Sequence, residues 1–401
     1  MQILSLGAVF FAIIALLALR RPLWQAILGG LAVAAVAFRI PPLEILRLTS
    51  NVFTDADSLS VLLSLYFITY LQRILEHRKQ IKLAQQDLNG LFHNRKVNAA
   101  GASMFIGLLP AAAAMILCGD IVKESSDGYL DPREQAFATS WFRHIPESSL
   151  PTYSSVILMA TLSGVPLPPF MLAMVVPIIA LIAIGYVICL HKLPNDPGTP
   201  RSENRLLDAF HLVQHLWTLI VLIALMLVFK LPIVPAILIV LAAAALIYRM
   251  EPKTLLHMVR SAFELKLMLN TFLVLVLKEF IAFSGVLETL PAMLSKLPIP
   301  TFLVFCVLFF LGGIISGSSG IIALGTPLAF AAIPEGGVSL MVLLMCMVHS
   351  ASLVSPTHVC LVVAADYFKV PLGQLIRKTI PASLSFAVLM MGYYLILSQF
   401  C

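Results

Sequence analysis

The chain has 401 residues and a net charge of +6, and it is 60% hydrophobic but only 11% charged. A mean hydropathy of +0.98 leaves too few polar residues to clothe a soluble globule of this length, so the expected solvent is a lipid bilayer. The basic residues are spread over many loops, which argues against a nucleic-acid partner, and the six cysteines form no CxxC pair and have no histidine at metal-ligand spacing, so neither a metal, a cofactor nor a disulfide framework is expected.

Apolar stretches of membrane length fall at about 4–19, 23–38, 57–75, 136–163, 167–190, 209–229, 232–249, 262–281, 338–366 and 371–397. The first ends at Arg20-Arg21 without a small-residue cleavage site, unlike a signal peptide. Two further apolar segments, 99–122 and 302–333, are too short for two crossings each and are read as re-entrant hairpins. Ten spans then put 20 basic residues on one side and 5 on the other, with Arg143 inside a span. By the positive-inside rule both termini lie outside, and the 73–98 and 191–208 segments lie in the cytoplasm. The basic stretch from Arg73 to Lys96 is amphipathic and reads either as a helix along the headgroups or as an ordinary loop.

The hydrophilic segment His191 to Asn204, with three prolines and a glycine, falls near the midpoint and reads as a linker. Sliding the sequence by 205 residues pairs His144 with His349, Pro151-Thr152 with Pro356-Thr357, and Val165-Pro166-Leu167 with Val370-Pro371-Leu372. The expected organisation is a first repeat over 1–190, a linker over 191–208 and a second repeat over 209–401. Five spans per half is an odd number, so the second copy enters the membrane from the opposite face and the repeat is inverted.

Each half has a polar break inside an apolar run. Pro146 and Pro151 bracket ESSL in the 136–163 helix, and Pro356 ends SASLVS in the 338–366 helix. Proline removes a backbone hydrogen bond and forces the preceding residue out of the helical region, so the first helix is expected to stop near Ile145 and restart near Thr152, and the second to restart near Thr357. Unwound backbone at membrane depth is stable only where it is buried in protein or lines a wet cavity. A restarting half-helix offers free N–H groups and positive potential to an anion.

Ser148, Ser149, Thr152, Ser355 and Thr357 are therefore expected either to contact a ligand or to cap the broken ends. Ser316, Ser318 and Ser319 of SGSSG form the expected tip of the second hairpin, whereas the first turns at Pro110-Ala-Ala-Ala-Ala without hydroxyls. Glu147 is an intramembrane carboxyl and reads as a coupling-ion site, unless Arg143 four residues earlier pairs with it. His144 and His349 read as loop-orienting groups that donate to a carbonyl, His358 as a ligand for an anion, and Asp120 and Asp366 as solvated partners of Lys123 and Lys369.

FIGLLPAAAAMILCGD with HIPESSLPTYSS, and LGGIISGSSGIIALGTP with HSASLVSPTHV, resemble a prokaryotic membrane family known as domain of unknown function 401. That family is similar in plan to the ion transporter superfamily of gluconate permeases and sodium-coupled dicarboxylate carriers. The resemblance implies a site between hairpin tips and helix breaks, a prokaryotic inner membrane and a homodimer. The Ser-Asn-Thr tip motif of the dicarboxylate carriers is absent, which weighs against sodium coupling and dicarboxylate specificity.

The sequence thus describes an all-α membrane protein of about ten transmembrane helices, two re-entrant hairpins and two broken helices. The expected function is secondary transport of a small organic anion by alternating access, coupled to protons or sodium, with no cofactor. Two alternatives come from other classes: an intramembrane enzyme using Ser148 or Ser149 with His144 as base, and a membrane scaffold or assembly protein. No Walker, GxSxG or HExxH motif is present.

Overall fold

A computed structural model describes residues 2–19, 21–80, 83–84, 94–108, 113–195, 204–294 and 298–400. The described residues are helical or irregular, without strands. In chain order the helices are α1 (Gln2–Ala18), α2 (Leu23–Ala37), α3 (Pro42–Thr54), α4 (Ala56–His77), α5 (Arg95–Val97), a π-wound turn (Asn98–Ala102), α6 (Ser103–Ile106), α7 (Ala113–Ser126) and α8 (Pro132–His144). A 3₁₀ turn (Ile145–Ser148) leads to α9 (Ser154–Ser163), α10 (Leu167–Ala173), α11 (Val175–Ile188) and a second 3₁₀ turn (Leu190–Lys192). The second half holds α12 (Arg205–Leu227), α13 (Ile233–Ile247), α14 (Pro252–Ser261), α15 (Leu265–Phe283), α16 (Val286–Leu294), α17 (Thr301–Ala332), α18 (Gly337–Ser352), α19 (Val359–Tyr367) and α20 (Leu372–Leu397).

Among the described residues six segments are long and apolar enough to cross a membrane: 56–77, 167–188, 206–227, 301–332, 334–352 and 372–397. Apolar helices at 4–17 and 23–37, both expected as full spans, are shorter than the roughly 20 residues a straight crossing takes. They form a tight antiparallel pair in which Gly29 and Gly30 leave no room for a Cβ beside Leu16 and Ile13. Two short amphipathic helices, α3 and α14, escape the hydropathy reading; each starts at a proline and follows the same kind of stop.

That stop is an arginine with positive φ. Arg39 (φ 53°) and Arg249 (φ 47°) end α2 and α13, and in both places the next amide reaches back five residues, Ile40 to Ala35 and Met250 to Ala245. Matching turns follow α9 and α19, where Gly164 (φ 71°) and Lys369 (φ 54°) precede Val-Pro-Leu. All five non-glycine residues with positive φ among the described residues are Arg or Lys, cations placed where helix carbonyls end.

The 301–332 segment doubles back on itself. Gly317 (φ 73°, ψ 170°) interrupts α17, and the two arms then run antiparallel: Gly325 abuts the Phe309 ring and Gly312 abuts Ile321. In an unbroken helix residues 309 and 325 would be about 24 Å apart. The first hairpin follows suit, with Cys118 of α7 donating to the Ser103 carbonyl of α6. Its expected turn at Pro110 lies outside the described residues, as do parts of the 73–96 stretch (81–82 and 85–93) and of the linker (196–203).

The two halves interlock. α9 of the first half packs on α17 and α18 of the second, while α19 of the second packs on α7 and α8 of the first. Contacts between distant loops also gather basic segments at one end: Arg73 pairs with Glu264 at 2.7 Å, Arg78 stacks on Tyr248, and Lys96 stacks on Tyr186. Asp120 accepts from the Tyr367 hydroxyl, so its structural partner is a phenol from the other half and not the expected Lys123.

Glu134, in the first turn of α8 and outside the apolar 136–163 stretch, accepts from Lys192 (2.5 Å) and Lys378 (3.2 Å) at that same end. Burial pushes its carboxyl up, but the hydrogen bonds and charges of the two lysines outweigh burial and hold it below the usual 4.5. A depressed carboxyl stabilises the fold above its unfolded-state value and stops doing so as pH falls through the folded one. In detergent, wild-type protein is expected to lose more thermal stability between about pH 5 and pH 3 than Glu134→Gln, whose amide does not titrate in that range; parallel melting curves would refute the clasp.

Candidate functional site

The first break is wound tighter than the prolines alone required. α8 runs to His144 and continues as the 3₁₀ turn Ile145–Ser148, and α9 restarts at Ser154, two residues later than expected. The amides of Ser149 and Leu150 both donate to the Pro146 carbonyl at 3.2 and 3.1 Å, so the unwound backbone is largely satisfied within its own turn. In the second half α18 ends at Ser352 and α19 restarts at Val359, with the His358 amide donating to Ser355 O. Neither restart, at Tyr153 or His358, carries a side-chain cap, so the expected serine and threonine caps are not made there. The first-turn N–H groups of α9 and α19 thus lack the usual side-chain acceptor.

The breaks meet. His144 Nε2 lies 2.9 Å from His358 Nε2 across 214 residues of sequence, with ring centroids 4.9 Å apart. Glu147 stands beside this pair, its Oε2 3.6 Å from His144 Nε2 and 3.9 Å from Arg143 Nη1. Arg143 and His144 are almost wholly buried, while Glu147 keeps 19% of its side chain accessible. The expected ion pair therefore exists, and the same carboxylate also faces two imidazoles. His144 Nδ1 is 2.5 Å from Ser140 O; because a carbonyl only accepts, Nδ1 carries the proton and Nε2 presents its lone pair to His358 and Glu147.

A cavity of about 10 Å³ lies against this group, lined by Glu147, Ser148, Ser155, Ser318, Met345, Val348, His349 and Ser352. Both broken helices and the second hairpin contribute to it. Its volume is that of a single water, too small for an organic ligand in this conformation. Ser318 of the hairpin tip and Ser352 share a hydrogen bond of 2.8 Å across it. His349, instead of orienting a loop, stacks edge-on against Phe386 (5.9 Å), and its buried Nε2 has no hydrogen-bond partner among the described residues. An unsatisfied buried polar atom costs about 1–3 kcal/mol, which a ligand or a water in the cavity would recover.

The other expected residues separate by direction. Ser148 faces this cavity, but Ser149 lines a different one of about 200 Å³ with Met104, Phe105, Leu108 and Ile178, which is apolar. Both hydroxyls reach carbonyls of their own turn at 3.4 Å. Thr152 lines a third cavity, also about 200 Å³, with Leu65, Thr69, Gln72, Ser154 and Glu264; Gln72 Nε2 donates to its carbonyl at 3.2 Å. Pro146 and Pro151 are buried, while Pro356 and Thr357 are exposed. Ser355 is a tie and not an open ligand group: it donates to Ile314 O at 3.0 Å and bonds Thr357 at 2.9 Å. Ser316 donates to Gly312 O of its own helix at 2.7 Å, and Ser319 is half-buried nearby.

Sequence reasoning missed Ser155 and Gln72, neither of which stands in a break; Ser155 matches Cys360 at the 205-residue offset, which was the available signal. The nucleophile and base of the enzyme reading do not pair, since His144 spends its two nitrogens on Ser140 O and His358.

A helical chain with doubled-back and broken helices whose ends converge on a polar cavity defines a multi-pass membrane protein of transporter-like fold. The crystal structure of the YdaH transporter from Alcanivorax borkumensis, 16% identical, superposes with a TM-score of 0.59 over 88% of this chain and 86% of that one. The chain belongs to the family described as protein of unknown function, DUF401, whose profile matches residues 3–396. No curated protein matches it.

Gly107 holds the first hairpin arm against the first break. A Cβ there would sit 2.1 Å from the Arg143 carbonyl oxygen, and the Gly107 carbonyl accepts from the Tyr153 hydroxyl. Because the clash is with backbone, Gly107→Ala is expected to destabilise the protein by about 1–3 kcal/mol, read as a lower melting temperature in detergent. Gly373→Ala, with open space around it, is the control expected to leave melting unchanged or raise it.

Proposed function

We propose that the protein is a secondary active transporter of a small organic anion, a carboxylate, working by alternating access and driven by protons. The observation that carries this reading is the polar cavity between the breaks, which is lined by one carboxyl, a buried imidazole whose Nε2 has no hydrogen-bond partner among the described residues, and four serine hydroxyls drawn from both halves of the chain. Protonating Glu147 removes a negative charge 3.9 Å from Arg143, and a substrate carboxylate supplies the replacement. Proton and anion then enter together because each relieves the electrostatic cost of burying the other. Protons are preferred to sodium because the groups gathered here are one carboxyl and two imidazoles and not the shell of oxygens that a hard cation takes.

In this reading the two halves form an inverted repeat in the inner membrane of a prokaryote, with both termini outside. The cavity of Gln72 and Thr152 lies near the basic, cytoplasmic end of the seam between α4 and α9, and a second one, about 250 Å³ with Asp57, Ser60, Ser64 and Thr161, lies near its other end. Motion at this seam would open the closed site to each side in turn.

The test is uptake of labelled carboxylates into vesicles holding the purified protein. A pH gradient is expected to drive accumulation, a protonophore to abolish it, and Glu147→Gln to keep solute exchange while losing gradient-driven uptake. Ser148→Ala should weaken uptake and Ser149→Ala should not. Uptake driven by sodium and indifferent to pH would overturn proton coupling. Product formation without a gradient would overturn transport itself.

A further inference from the structure

We propose that His144, His358 and Cys360, with Glu147 as fourth ligand, form a binding site for a zinc-class transition-metal ion that bridges the two helix breaks. The ligand atoms of His144, His358 and Cys360 all lie within 4.8 Å of one another. Tetrahedral zinc places its nitrogen and sulfur ligands roughly 3.3–3.8 Å apart, so the 2.9 Å between the two Nε2 atoms has to widen by about half an ångström. Glu147 Oε2, 3.6 Å from His144 Nε2, stands at such a separation from that one ligand, while spacings within the triad of up to 4.8 Å have to close by about 1 Å.

The surroundings fit a ligand set. His144 is fixed by the Nδ1 hydrogen bond to Ser140 O, the outer-shell arrangement that orients metal-binding imidazoles and aims the Nε2 lone pair inward. With that lone pair facing His358, the 2.9 Å contact holds a proton on His358 Nε2, and a metal ion takes the place of that proton. Two imidazoles, a thiolate and one carboxylate oxygen suit zinc or cobalt, whereas calcium and magnesium take oxygen ligands alone. With the imidazoles neutral, the thiolate and Glu147 together outweigh the positive charge of Arg143. His358 and Cys360 are only half-buried and adjoin exposed Thr357, which gives an ion access to the otherwise buried His144.

One imidazole and the carboxylate come from the first half, and the other imidazole and the thiolate from the second, so an ion here ties the breaks together. The site shares Glu147 with the transport reading, but its test does not depend on that reading, because binding is measured on purified protein without a gradient.

Protein in detergent, stripped with chelator, is titrated with Co²⁺. Wild type is expected to show the visible bands of tetrahedral cobalt and a near-ultraviolet thiolate charge-transfer band, and Zn²⁺ is expected to displace both. Cys360→Ser should lose the charge-transfer band, and His358→Gln should weaken binding roughly tenfold or more. His191→Gln, on an exposed turn, should change nothing. Zn²⁺ should also protect Cys360 of wild type from alkylation, mapped by mass spectrometry, which tests the site even if a variant fails to fold. Cobalt spectra without thiolate character, or alkylation of Cys360 indifferent to Zn²⁺, would overturn the proposal.

Discussion

Unwound peptide groups at membrane depth must be hidden from lipid, and this chain hides them by setting its two interruptions against each other. A lone broken helix would expose carbonyls and amides to hydrocarbon at several kcal/mol each. Here the 3₁₀ turn after α8 packs on α18 and α11, and α19 lies across α7 and α8. Each half supplies the shelter for the other half's irregular backbone, so neither is expected to be stable alone.

The same arrangement explains why charge is tolerated at the junction. Arg143 is almost completely buried, and an isolated guanidinium in that setting would be prohibitive. It has the Glu147 carboxylate four residues on, 3.9 Å away. Burying a cation beside a carboxyl and two imidazoles sets an ionisable cluster at membrane depth where the breaks meet, which is the physical reason the proposed coupling role falls on it and not on the exposed acids.

Much of this plan is legible in the sequence because proline and glycine act locally. Pro146, Pro151 and Pro356 forecast both interruptions, and SGSSG forecast the fold-back at Gly317, since each removes a hydrogen bond or permits a backbone angle whatever surrounds it. Side-chain direction was not legible. Ser148 and Ser149 look equivalent on paper, yet the 3₁₀ turn sends one to the polar cavity and the other to an apolar one. The approach of His144 to His358 and Cys360 was invisible for a different reason: it spans more than half the chain and follows from how the halves cross, not from any spacing along it.

The size of the polar cavity bears on how a ligand is held. Space for about one water is far less than a small organic molecule fills, so a ligand of the proposed kind has to part the walls that bond across it, Ser318 and Ser352 among them. Entry then exchanges a hydrogen bond within the protein for hydrogen bonds to the newcomer, and affinity is the difference between the two.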